Sequence, residues 1–152
     1  MKVEAVLFDL FDTLLLIEGG NTFYRSCLRK LHSFIVENGV NVSFEDFRSV
    51  YFEVRDRIYM ETSRNLEEPH FSVRVWQTLK RLGFNCNPTD PIVVGGTEAF
   101  AEEFINYVKV DEEALPVLEK LYGKYKLGIV SNFALPECAR KLLEKIQIER
   151  FL

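Results

Sequence analysis

Two short β-rich segments, one at the start of the chain and one near its end, constrain the fold most. Val3 to Phe8 is apolar without clean alternation and ends in Asp9. Such a run predicts a strand buried on both faces of a parallel sheet. Lys126 to Val130 is a second strand, closing in Ser131-Asn132. Between the two, the hydrophobic period is helical. The chain therefore reads as strand, four-helix insert, helix, strand, helix, an α/β organisation with a helical subdomain inserted after the first strand.

The insert divides at turn signals. Leu14 to Ile17 continues the first apolar run until Gly19-Gly20 breaks it. From Asn21, Phe23, Cys27, Leu28, Leu31, Phe34 and Ile35 form one stripe, and Asn38-Gly39 stops it. Ser43 followed by Asp46 resembles a capping box. The helix it opens presents Phe44, Phe47, Val50, Tyr51, Val54 and Ile58. A third helix spans Phe71 to Leu82, with Val75, Trp76, Leu79 and Leu82 inward and Gly83 as its stop. A fourth runs to about Tyr107, with an interruption expected near Gly95-Gly96. Pro116 then marks the first turn of a fifth helix, ended by Gly123, and Pro136 opens a last one through Ile146.

Composition excludes several classes. With 152 residues, 47% hydrophobic and 28% charged, the chain is not disordered. Its 19 basic and 23 acidic residues give a net charge of −4, which does not favour tracking of nucleic-acid phosphates. Cys27, Cys86 and Cys138 are odd in number and widely spaced, so neither a disulfide framework nor a zinc site is expected. The opening MKVEAV lacks the apolar character of a signal peptide. The longest apolar run, Val6 to Ile17, is interrupted by Asp9 and Asp12 and is too short to span a bilayer. The expectation is a cytoplasmic protein with a small-molecule substrate and no nucleic-acid or membrane partner.

Asp9 and Ser131-Asn132 hold equivalent places at the carboxyl ends of two strands, where open α/β sheets bind ligands. An Asp there can attack phosphorus or carbon and form a covalent intermediate. A Ser hydroxyl and backbone N–H groups can hold the oxygens of a tetrahedral substrate. The bland alternatives are an Asp that closes a strand, a loop-bonding Asp12 and a helix-capping Ser131. His32 and His70 show no metal spacing, and Trp76 reads as core.

These residues resemble the haloacid dehalogenase (HAD) superfamily, whose first motif is a strand followed by Asp-x-Asp-x-Thr and whose second is a strand followed by Ser or Thr. Here the motifs read Asp9-Leu10-Phe11-Asp12-Thr13 and Gly128-Ile129-Val130-Ser131-Asn132. The resemblance implies a HAD-like Rossmannoid core, truncated to few parallel strands, over 1–17 and 110–152, with an inserted four-helix cap of type 1 over 18–109. It implies that Asp9 is the nucleophile and a Mg²⁺ ligand, with the Phe11 carbonyl as a second ligand. Thr13 would fix the motif loop, and Ser131 would hold the transferring group with Asn132 beside it.

Two departures from the family pattern bear on activity. Phe11 stands where the family's phosphatases carry a second Asp as general acid. A halide leaves without a proton, so Phe11 raises the dehalogenase reading. Asp12, one position on, is the remaining substitute. The family's third-motif Lys and fourth-motif acidic pair should follow Leu152. Lys141 and Lys145 are weak substitutes, and a two-stranded sheet would expose apolar edges. The expected function is a HAD-like phosphatase using a covalent aspartyl intermediate and Mg²⁺. One alternative is a dehalogenase needing no metal. The other is a noncatalytic fragment or assembly module, completed by a partner strand or by a second copy in a homodimer.

Overall fold

The computed structural model describes residues 2–152. In chain order the elements are β1 (Ala5–Phe8), β2 (Leu15–Ile17), α1 (Gly20–Glu37), α2 (Phe44–Thr62), α3 (Phe71–Arg81), α4 (Pro91–Ile105), β3 (Val108–Val110), α5 (Ala114–Leu121), β4 (Lys126–Ile129) and α6 (Pro136–Ile146). A 3₁₀ turn over Ile148–Phe151 follows. The chain folds as two compact units. One is the chain up to Gly20 together with Ile105–Leu152, and the other is Asn21–Phe104.

In the first unit β1 and β4 pair in parallel, with Ala5 opposite Lys126 and Phe8 opposite Ile129. The anticipated burial on both faces does not occur. Ala5 and Leu7 point to an exposed face, and Leu7 is 66% exposed. A parallel strand is buried on both faces only where another layer covers each face, and the face carrying Ala5 and Leu7 stays exposed. Leu7 lies opposite Gly128, where a Cβ would come within 2.8 Å of the Leu7 side chain. Glycine there gives Leu7 its room. The second pairing, β2 with β3, is antiparallel and sets Leu15 opposite Val110 and Ile17 opposite Val108. The Glu18 N–H donates to the Tyr107 carbonyl at 2.7 Å and extends it. The helical segment thus leaves and rejoins this unit at one point. The sequence had this strand pair as the tail of an apolar run and the end of a helix.

In the helical unit, the buried faces are Cys27, Leu28, Leu31 and Ile35 on α1 and Phe47, Tyr51, Val54 and Ile58 on α2. They follow the three- and four-residue spacing of an amphipathic helix. Ser43 caps α2 by accepting from the Asp46 N–H at 3.1 Å. Asp46 does not complete the reciprocal box, because its short carboxylate takes the Ser43 hydroxyl at 2.6 Å instead. The fourth helix is uninterrupted and ends at Ile105, before Tyr107. Gly95 serves packing instead of a break: a Cβ there would run into the Phe34 ring, so the ring occupies the space a side chain would take. Polar groups also enter this core. Arg74 is 5% exposed and pairs with Glu68, and the hydroxyls of Tyr24 and Tyr51 lie 2.6 Å apart.

Candidate active site

The parallel register of β1 and β4 brings the two sequence motifs to neighbouring strand ends. The Val130 N–H donates to the Phe8 carbonyl at 2.9 Å, carrying the ladder one residue past β4. Asp9 directly follows Phe8, and Ser131 directly follows Val130. Both side chains are exposed, as is Asn132. Asp9 Oδ1 accepts from the Leu10 N–H at 2.8 Å, which fixes one edge of the carboxylate.

The turn after Asp9 is closed by its own backbone. The N–H groups of Leu14 and Leu15 both donate to the Leu10 carbonyl at 2.9 Å, and the Asp12 N–H donates to the Leu15 carbonyl at 2.7 Å. Buried Leu10, Leu14 and Leu15 anchor this turn in the core. Asp12 pivots it at φ +56°, a left-handed conformation that Asp tolerates better than most residues. Asp12 and Thr13 are exposed at its tip, and neither side chain has a hydrogen-bond partner among the described residues.

A side-chain contact ties the two motif loops together. The ring of Phe11 lies 4.3 Å from that of Phe133, centroid to centroid, tilted by 44°. Phe133 is two residues beyond Ser131 and was not among the residues the sequence singled out. Its signal was an aromatic directly after the second motif, uninformative until the register is known.

These two strand ends carry one exposed carboxylate, one hydroxyl and one amide, and the Phe11–Phe133 contact joins their loops. The carboxylate can act as a nucleophile, and the hydroxyl and amide can hydrogen-bond an anionic group. Cys138, on α6, offers no rival: burial pushes its thiol up to about 11, so it stays protonated at neutral pH. Lys141 and Lys145 are exposed on α6. For Mg²⁺, the Asp9 carboxylate and Phe11 carbonyl would be oxygen donors to an ion that prefers six in near-octahedral array. No group of three or more His, Cys, Asp or Glu among the described residues is placed to hold a metal ion. These residues alone do not make a complete Mg²⁺ site.

No family model matches the chain, and no curated protein matches it. Solved structures do. A 2-haloacid dehalogenase from Pseudomonas syringae pv. Tomato superposes with a TM-score of 0.61 at 21% identity. The match covers 87% of this chain and 56% of that one, so this chain spans little more than half the length of that structure. The chain has the haloacid dehalogenase fold. The parallel β1–β4 ladder leaves Asp9 and Ser131 each one residue past the hydrogen-bonded Phe8 and Val130. Among the described residues no helix is long and apolar enough to cross a membrane.

Proposed function

We propose that this chain carries the nucleophile of a HAD-like hydrolase that works through an ester on Asp9 and displaces a leaving group needing no proton. A halide on a small 2-halo carboxylate fits best. The observation that carries this reading is the Phe11–Phe133 contact at 4.3 Å. It holds an aromatic ring at Phe11, two residues from Asp9, at the position where the HAD resemblance expects a proton-donating carboxylate in phosphatases. General acid catalysis is worth roughly 10²–10⁴-fold to an alkoxide leaving group, and a halide gains nothing from it.

In the first step an Asp9 oxygen forms a bond to the halogen-bearing carbon, and the halide departs with the bonding pair. Water then attacks the carboxyl carbon of the ester, releasing the hydroxy acid and a proton and restoring Asp9. Ser131 and Asn132 hydrogen-bond the substrate carboxylate in this scheme. The test is halide release from 2-chloropropanoate, read with an ion-selective electrode. Release that survives EDTA and disappears in Asp9→Ala is expected. Absence of halide release, with hydrolysis of a generic phosphoester that EDTA abolishes, would replace this reading with phosphoryl transfer. That second reading is favoured by Asp12, an exposed carboxylate three residues from Asp9 whose side chain has no partner among the described residues. In it, Asp9 and the Phe11 carbonyl contribute ligands to Mg²⁺ that other groups complete.

The open sheet supports an assembly role alongside chemistry. Leu7 and Val130 are 66% and 63% exposed beside strands that each have one side unpaired among the described residues. Unpaired strand edges template pairing with another chain. A second copy of this chain is the occupant proposed, and a cytoplasmic location remains part of the same reading.

A further inference from the structure

The helical unit holds a cleft of about 420 Å³ lined by Arg57, Trp76, Gln77, Lys80 and Arg81. That volume falls in the range of small-ligand sites, roughly 300–1,000 Å³. Arg57 comes from α2 and the other four residues from α3. On α3 they recur at three- and four-residue spacing, which brings side chains to one face of a helix.

The lining side chains are individually restrained. The Trp76 indole N–H donates to the Cys86 carbonyl at 2.9 Å, and the Lys80 ammonium sits 5.0 Å from the Trp76 ring centre. Arg57 donates to Gln77 Oε1 at 2.6 Å and lies 3.9 Å from Glu61. Arg81 lies 3.1 Å from Glu53. Three cations thus face two carboxylates, and Lys80 has no carboxylate partner among the described residues. A guanidinium has five N–H donors, and these partners use few of them. The cleft therefore has a local positive excess and spare forked donors, on a chain whose net charge is −4. Forked guanidinium donors match the geometry of carboxylate and phosphate oxygens.

We infer that this cleft binds a small molecule bearing an oxyanion, a carboxylate or a phosphate, held by Lys80, Arg81 and Arg57 with its carbon body against Trp76. The lining residues all belong to the helical unit, and the inference does not depend on the Asp9 chemistry.

Trp76 is the only tryptophan of the chain, so its emission reports on this cleft directly. The full chain is titrated with inorganic phosphate and with cyclohexanecarboxylate, each against sodium chloride at matched ionic strength. A saturable change with phosphate assigns a phosphate-bearing ligand, and one with the carboxylate assigns an organic acid. Lys80→Met and Arg81→Gln should each weaken the saturating probe about tenfold, the scale of one charge-assisted hydrogen bond in a partly solvated site. Far-UV circular dichroism checks that both variants stay folded, and their exposed positions favour it. Asp9→Ala should leave the affinity unchanged. Responses no larger than chloride's, variants that bind like the parent, or a response lost in Asp9→Ala would each overturn the inference.

Discussion

Replacing Arg74 by Met should destabilise the helical unit by about 3 kcal/mol, and most of that loss should return when Glu68 is replaced as well. The Arg74 side chain is 6% exposed, and its partner Glu68 is 20% exposed. The guanidinium also sits 4.9 Å from the Tyr59 ring centre and 5.7 Å from that of Phe71. Removing one member of a buried pair costs roughly 3–5 kcal/mol, because the other charge is left uncompensated. Glu68 keeps some water, which places the cost at the lower end. The pair is not a clear source of net stability, however. Arg74 Nε is buried without a hydrogen-bond partner among the described residues, a cost of about 1–3 kcal/mol that Met removes. Arg74→Met with Glu68→Gln therefore leaves no unpaired charge, and should fall within about 1 kcal/mol of the parent. Urea unfolding followed by Trp76 emission reads this, since Trp76 lies two residues from Arg74 on α3. A single substitution costing under about 1 kcal/mol, or a double variant no better than the single, would refute the reasoning.

Two further outcomes follow from the core and the sheet edge. Burial holds the Cys138 thiol at about 11 against an ordinary 9.0, so between these values the unfolded chain binds fewer protons than the folded one. Stability should then fall as pH rises from 9 to 11, by up to about 2 kcal/mol from this group. Burial also raises the Tyr51 phenol, which acts in the same direction at higher pH. Cys138→Ala should flatten the first part of the fall in unfolding curves taken across that range. At the sheet, multi-angle light scattering should find a dimer that Leu7→Lys dissociates, since a charge on an open edge opposes pairing. A monomeric parent at high concentration would count against the assembly reading.

The sequence made the helices legible because burial of one face imposes a spacing, as at Leu28, Leu31 and Ile35. It also showed that Asp9 and Ser131 end comparable strands, because a short apolar run before a polar residue has few other uses. It could not show the second strand pair. The three-residue strands β2 and β3 are joined by contacts between positions 15–17 and 108–110, which no local pattern encodes. For the same reason Phe133 stayed unseen: its role comes from meeting Phe11 across the sheet register. The error over β1 came from reading apolarity as two-sided burial. Leu7 is apolar and lies on an open face. The break expected at Gly95-Gly96 misread a close-packed pair: Gly95 makes room for the Phe34 ring, and Gly96 faces Leu31, Val75 and Ile35.

The claim that Asp9 forms the bond to substrate is tested most directly by a single turnover in oxygen-18 water, with enzyme in excess over 2-chloropropanoate. Mass spectrometry of the peptide containing Asp9 should find the heavy oxygen in its carboxylate, while the released hydroxy acid carries ordinary oxygen. Label in the hydroxy acid after that first turnover, with none in Asp9, would mean that water attacked carbon directly and would contradict the account.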